Sequence, residues 1–308
     1  MPLDMAIRAI DEAAALGMTS LQLSGGDPLL YPHLVELIRA GARHSGVFVF
    51  MNSVGTGVTV DKAREIIGAG LGAWNFSVDT LVPDTYGRLR GVGGAFNIIM
   101  RAIETVRQAA AAWPDFCINY MTVITRQNFR DIPALLLHCI DTGVASMYLM
   151  NVYGDTSGKA LLNELEIREF RDEIVPSMLS IIRKRDLPDI VQTNAAEVLG
   201  TFFSRDNSDS NYANGVYWAN MDSVKKACRV PNYYALVEPD GRVLPCCLVE
   251  IAHEGEVGSI AQRSLTEVWN SDQYAKFRRD RIDFCQKCSA PRHKTLGLIP
   301  KMCRQFNG

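Results

Sequence analysis

The chain has 308 residues, 47% of them apolar and 21% charged, with 32 basic against 34 acidic side chains for a net charge of −2. This composition excludes disorder, collagen and coiled coil, and a near-neutral chain offers no field for a phosphate backbone or an anionic membrane, so neither nucleic acid nor lipid is an expected partner. No apolar run approaches the roughly 18 residues of a membrane span, and residues 1–20 carry no basic-then-apolar signal peptide, which predicts a cytoplasmic protein.

Taken in chain order, Ile7, Ile10 and Ala14 form a helical stripe, and residues 19–24 read as the first strand. Four more strands follow at 47–52, 73–78, 116–124 and 146–152. Between them lie amphipathic stripes, one of Phe96, Ile99, Met100, Ile103 and Val106, another of Ile132, Leu135, Leu136, Cys139 and Ile140. Strand, helix, strand in repetition implies parallel strands joined by crossovers, hence an α/β fold that is either a doubly wound sheet or a full or partial barrel. In both architectures ligands collect at the carboxyl ends of the strands.

Those ends are polar. Ser24-Gly25-Gly26-Asp27-Pro28-Leu29 follows the first strand, where two glycines let a ligand approach the backbone and Asp27 can accept from an ammonium group, although the same tetrapeptide is also an ordinary turn. Asn52 with Ser53 follows the second strand, Ser77 with Asp79 the third, and Arg88, Arg90 and Gly91 are read as the next loop. Successive polar strand ends outline one shared pocket.

Residues 163–185 form a further helical stretch, and the polar, turn-rich 204–215 is the candidate linker, which places a domain boundary near residue 215. Beyond it, Tyr233 to Val237 and Arg242 to Cys246 flank a Glu-Pro-Asp-Gly hairpin signal, and Ser264-Leu-Thr-Glu267 is a capping box with Leu265, Val268 and Trp269 on its buried face. Six of the eight cysteines lie in the last 81 residues. Cys285 and Cys288 are spaced to ligate one metal or cluster from a single turn, and Cys228 and Cys246 complete four sulfur ligands. Spacing alone leaves a structural zinc and an iron–sulfur cluster equally open. Cys247 points away from Cys246, Cys303 has no assigned role, and Cys117 and Cys139 fall on apolar faces as core residues. Of the histidines, His33, His44 and His138 read as surface or capping residues, and His253 and His293 lie near the cysteines but read as exposed. No nucleophile elbow, zinc-protease or phosphate-loop motif is present.

Together these residues resemble a radical S-adenosylmethionine (radical SAM) enzyme with a C-terminal auxiliary-cluster domain of the twitch or SPASM type. Leu23-Ser-Gly-Gly-Asp-Pro-Leu-Leu30 is similar to the family's Gly-Gly-Glu-Pro strand end, which holds the methionyl amino group of SAM. Met51-Asn52-Ser53 stands where the family often has Thr-Asn-Gly; Phe76-Ser-Val-Asp79 with Arg88-Leu-Arg-Gly91 matches the element associated with the SAM carboxylate and ribose; Val123 to Asn128 resembles the strand end near the adenosyl group. The resemblance thus implies SAM binding by Gly25, Gly26, Asp27, Asn52, Ser77, Asp79 and Arg90. Cys228, Asp240 to Cys246, Gly258-Ser-Ile, Ser264 to Asn270 and Cys285-x2-Cys288 follow the auxiliary-domain pattern in order, which favours iron–sulfur over zinc. Position 294 is Lys where a full SPASM domain would continue toward two further cysteines, so one auxiliary [4Fe-4S] cluster on Cys228, Cys246, Cys285 and Cys288 is implied.

The implied fold is a partial TIM-type (β/α)6 barrel missing its first strand over residues 1–215, followed by a small α+β twitch- or SPASM-like domain over 216–308. The family's Cys-x3-Cys-x2-Cys loop is absent, since no cysteine precedes Cys117. A missing N-terminal segment is the expected reason, and a second, SAM-ligating [4Fe-4S] cluster is expected only in the complete protein. The resemblance implies a 5′-deoxyadenosyl radical that abstracts hydrogen from a peptide or a small hydroxylated metabolite, with a reductant such as flavodoxin or ferredoxin, and it implies that these residues alone do not cleave SAM. The competing reading is a catalytically silent homologue that keeps its tail cluster, or a zinc, as a binding or scaffold module. By their position at the last barrel strand, Tyr148, Asn151 and Tyr153 are expected to line the substrate pocket.

Overall fold

The computed structural model describes residues 1–152, 158–185, 228–247, 255–280, 285 and 297–298. Five strands, β1 (Ser20–Leu23), β2 (Phe48–Asn52), β3 (Ala73–Ser77), β4 (Cys117–Ile124) and β5 (Ser146–Asn151), form one parallel sheet in the order of the sequence. All five lie within the spans read from hydrophobic alternation. The unreversed order removes the doubly wound alternative, because crossovers of one hand running in one direction put every helix on the same face. The sheet is the wall of a partial barrel.

The helices on its outer face are α1 (Leu3–Ala15), α2 (Leu34–Ala42), α3 (Val60–Gly68), α4 (Pro83–Arg90), α5 (Ala95–Ala109) and α6 (Ile132–Thr142). Most of them bury apolar stripes against the outward residues of the strands, among them Trp74, Phe76, Tyr120 and Met147, to form the main core. One expectation is corrected here. Arg88 to Gly91 is not a loop: Arg88 and Arg90 lie in the last turn of α4, which Gly91 ends in the left-handed conformation at φ 67°. The helix escapes a periodicity reading because only Thr85 and Tyr86 are buried along it.

The stretch after β5 is helical as expected but not uniform. It comprises α7 (Glu164–Glu169), a π-helical turn at Phe170–Ile174 and α8 (Val175–Lys184). Pro176 has no N–H to donate to the preceding turn, and the wide turn absorbs that defect without ending the helix.

On the C-terminal side, α9 (Val230–Tyr233) precedes a three-stranded antiparallel sheet of β6 (Leu236–Val237), β7 (Arg242–Leu244) and β8 (Gly258–Ser259). Then come α10 (Leu265–Trp269), with both limbs of the Ser264/Glu267 capping box formed, and α11 (Asp272–Asp280). A further short strand, β9 (Gly297–Leu298), pairs antiparallel with β5. The small core of this region contains Val243, Leu244, Val268, Tyr274 and Phe277, and α1 lays Met5, Ala9 and Ala13 against it. Arg8 donates to the Ile260 carbonyl at 3.2 Å, and the Thr266 N–H donates to Glu12 Oε2 at 3.1 Å. The linker at 204–215, the boundary near 215, Tyr153, His253, Cys288, His293 and Cys303 lie outside the described residues. Among the described residues no helix is long and apolar enough to cross a membrane.

Candidate functional site

The polar groups predicted at the strand ends form two hydrogen-bonded clusters. After β1, Asp27 caps the short turn Pro28–Leu30 by accepting from the Leu29 N–H at 2.9 Å, and it also accepts from Ser53 Oγ at 2.7 Å and from the Val54 N–H at 3.3 Å. Its carboxylate therefore clamps the end of β1 to the end of β2. Ahead of it the glycine backbone is open: Gly25 sits at φ 140°, and a Cβ at Gly25 or Gly26 would meet nothing within 4 Å. This is a cradle of bare peptide groups with room for a ligand to lie on it.

A second cluster forms between β3, α4 and β4. The Ser77 carbonyl accepts from Tyr86 Oη at 2.8 Å and from Arg90 Nη2 at 3.1 Å, so Ser77 contributes through its backbone. The same guanidinium nitrogen of Arg90 lies 2.5 Å from Asp79 Oδ2, and Asp79 Oδ1 accepts from the Val123 N–H at 2.9 Å. Burial pushes the Asp79 carboxyl above its ordinary value and outweighs the opposing pull of Arg90 and the Val123 N–H. Burial likewise pushes the Tyr86 hydroxyl up to about 12, against the opposing pull of Arg90. Arg90 Nε is buried without a hydrogen-bond partner. A positively charged donor held in place by a carboxylate and a carbonyl, with one N–H unspent, suits an incoming carboxylate or hydroxyl.

Asn128 locks this cluster from behind. Its Nδ2 donates to the carbonyls of Asp79 and Val123, both at 2.8 Å, and its Oδ1 accepts from the N–H and Oγ1 of Thr125 at 2.7 and 2.9 Å. The sequence singled out Asn128 only as part of a strand end. Asn75, Asn119 and Ser146, which lie on one row with Asn52, were not singled out at all; the available signal was their matching parity along three strands.

Cys246 follows β7, and both it and Cys285 pack on the small C-terminal core, whereas Cys228 precedes α9. Among the described residues no three His, Cys, Asp or Glu side chains converge as a metal-holding group, so Cys228, Cys246 and Cys285 are not gathered at one point. The donor set is nonetheless all thiol, the chemistry that iron–sulfur clusters take. Cys139 is fully buried on α6, and burial raises its thiol well above the usual range; Cys117 is buried on the inward face of β4 with Phe48 and Ala73.

Comparison with known proteins gives a consistent result. Residues 1–139 match the radical SAM superfamily, and residues 228–289 match the SPASM iron–sulfur cluster-binding domain. The chain is 22% identical over 299 residues to the AdoMet-dependent heme synthase of Methanosarcina barkeri, covering 95% of this chain and 80% of that protein. It is 26% identical over 277 residues to the PqqA peptide cyclase of Granulibacter bethesdensis, covering 88% of this chain and 66% of the other. Among solved structures, Streptococcus suis SuiB bound to S-adenosylmethionine superposes with a TM-score of 0.64 at 15% identity, over 94% of this chain and 63% of SuiB, a likeness of fold. The chain thus spans less than two thirds of SuiB and of the peptide cyclase.

Proposed function

The chain belongs to the radical SAM superfamily and carries a SPASM iron–sulfur region, and from that premise we propose that residues 1–215 form the SAM-binding partial barrel and residues 216–308 the auxiliary-cluster domain of an enzyme that oxidises, joins or rearranges a peptide or a small hydroxylated metabolite. When bound, SAM and its cluster supply a 5′-deoxyadenosyl radical that abstracts hydrogen. The open backbone of Gly25 and Gly26 carries the methionyl end of SAM, Asn52 lines the neighbouring strand end, and Arg90, steadied by Asp79 and the Ser77 carbonyl, receives the carboxylate or ribose oxygens. Cys228, Cys246, Cys285 and Cys288 hold the auxiliary [4Fe-4S] cluster. The protein works in the cytoplasm with a flavodoxin or ferredoxin as reductant. These 308 residues contain no cysteine before Cys117, so they do not supply the thiolates for a SAM-side cluster and on their own leave SAM uncleaved.

The observation that carries this reading is the unspent, buried Nε of Arg90 at the end of β3, together with the open Gly25-Gly26 backbone at the end of β1 of the same sheet. The relatives named as a heme synthase and a peptide cyclase support radical chemistry without choosing the substrate. Two measurements test the reading. Calorimetric titration of SAM should give weak, saturable binding that Arg90→Ala weakens further, and absence of any saturable heat overturns the SAM site. Anaerobic reconstitution should give iron and sulfide near about four each per chain, lost on Cys285→Ala; zinc without sulfide overturns the cluster.

A further inference from the structure

Strand register divides the inward face of the sheet into rows. Phe50, Ala73 and Cys117 form an apolar row, and the next row toward the carboxyl ends is Asn52, Asn75, Asn119 and Ser146. Beyond it stand Ser77, Met121 and Tyr148, then Val123 with Met150. That these positions face inward follows from parity: their neighbours Trp74, Phe76, Tyr120 and Met147 join the helix-side core, whereas Phe48, Ala73 and Cys117 make a separate cluster on the opposite face. None of these inward positions on β2 to β5 carries a charge.

The polar row is a ladder of amides. Asn119 Nδ2 donates to Asn75 Oδ1 at 2.9 Å, and Asn75 Nδ2 donates to Asn52 Oδ1 at 2.8 Å. Burial is deep, with Asn75, Asn119 and Ser146 exposed by 6%, 2% and 4%. The ladder ends unsatisfied: Asn119 Oδ1 and Ser146 Oγ, on register partners, are buried with no hydrogen-bond partner. A buried polar atom left unmatched in a low-dielectric interior is costly, and a native fold that keeps two side by side needs a reason.

We propose that this row is the specificity floor of the substrate pocket, and that it takes a neutral N–H or O–H donor of the substrate, a peptide amide or a sugar-type hydroxyl, between Asn119 and Ser146. Carboxylate-rich or phosphate-rich substrates are disfavoured there, because none of the inward side chains of β2 to β5 is a cation that would compensate a buried anion, or a carboxylate that would pair an ammonium. This assignment rests on the radical SAM reading, which puts the substrate at the carboxyl ends of the strands.

The test uses the full chain labelled with 15N-asparagine and follows the side-chain amide signals of Asn75 and Asn119. Three probes are titrated: a blocked, uncharged tripeptide amide, scyllo-inositol, and a tetracarboxylate porphyrin. One neutral probe should move both signals saturably, the peptide arm or the inositol arm naming the source, and Ser146→Ala should weaken that probe about fivefold, the loss of one hydrogen bond. Asn119→Leu should abolish the response; because that change can also unfold the chain, Ser146→Ala, which removes a single hydroxyl, is the deciding variant. The proposal is overturned if the porphyrin moves the same signals, or if both neutral probes leave them unmoved up to their solubility limits. A parallel SAM titration, read on the backbone amides of Gly25 and Gly26, tests the underlying site separately. Neutral-probe binding without a SAM response overturns that reading alone, and the reverse overturns the specificity floor alone.

Discussion

Arg90 reaches back from the last turn of α4 to place one guanidinium nitrogen 2.5 Å from Asp79 Oδ2, and the same nitrogen donates to the Ser77 carbonyl. Asp79 is 5% exposed, so its charge depends on this partner and on the Val123 N–H. Because burial leaves its folded pKa above the unfolded value, the folded state holds the proton more tightly, and Asp79 favours folding most at acid pH, less as pH rises through the raised value. Arg90→Ala should raise that value further and cost about 2–3 kcal/mol at neutral pH, less than a fully buried pair because Arg90 is partly exposed. The cost should shrink toward the ordinary carboxylate range, and Asp79→Asn added to Arg90→Ala should recover much of it. Urea unfolding of the variants at pH 5 and pH 7.5 checks both signs; a penalty that does not vary with pH contradicts them.

Gly26→Ala should separate binding from stability. The added methyl meets no protein atom within 4 Å, and Gly26 does not occupy the left-handed region, so the unfolding midpoint should move by no more than about 0.5 kcal/mol in free-energy terms. The same methyl stands in the space over the strand end. SAM affinity measured by calorimetry should therefore fall about tenfold or more, the cost of displacing a ligand from close backbone contact. Equal affinity in wild type and variant would mean that no ligand lies on this backbone.

The strands were legible because Trp74, Phe76 and Tyr120 alternate with Ala73, Asn75 and Asn119, and a two-residue period survives even where both faces are buried. Stripes such as Ile99, Ile103 and Val106, spaced by four and then three residues, revealed α5 through the helical period instead. Helix α4 was not legible, since its role is to carry Arg90 and not to bury a stripe. The chemistry was half legible. Asp27 was visible as a turn carboxylate, but its bond to Ser53 joins residues 26 apart, and only the folded sheet brings those loops together. The ladder of Asn52, Asn75 and Asn119 was hidden by propensity: asparagine reads as a turn former, and its value inside a strand appears only once register sets three of them side by side.

Asn128 is 1% exposed and spends both its donors on the carbonyls of Asp79, after β3, and Val123, in β4, and its acceptor on Thr125 of its own loop. Asn128→Ala should strand two carbonyls and the Thr125 N–H, at about 2–4 kcal/mol, as several buried groups lose partners together. Asn128→Asp keeps the acceptor but cannot donate to either carbonyl, so it should be no milder. Denaturant midpoints rank the two, and a cost below about 1 kcal/mol for both would show that the loop holds without its hub.

Cys139 should be chemically silent in the native state. The residue is fully buried on α6, and burial holds its thiol far above the usual value, so both access and thiolate are lacking. Iodoacetamide at pH 8 should leave Cys139 unmodified in the folded chain and alkylate it after unfolding in guanidinium, as read by peptide mass mapping. Native labelling at a rate near that of an exposed thiol would mean that α6 opens on the timescale of the experiment.

Helix α1 is a clasp between the two regions of the chain. One side packs on the small C-terminal core through Met5, Ala9 and Ala13, and its polar groups hold Ile260 and Thr266 through Arg8 and Glu12. The opposite side belongs to the barrel, where Asp11 pairs with Arg43 and His44 beyond the end of α2. Each of the two bonds to the C-terminal region should contribute about 1 kcal/mol. Arg8→Ala with Glu12→Ala should therefore loosen that region by about 2 kcal/mol while the sheet keeps its own hydrogen bonds. Amide exchange distinguishes the outcomes: the Val268 and Val257 N–H groups, bonded to Ser264 and Val243 carbonyls, should exchange faster by about tenfold or more, and the Val78 N–H bonded to Met121 should not. Uniform acceleration across all three would show that the two regions unfold as a single unit, with α1 as part of one core.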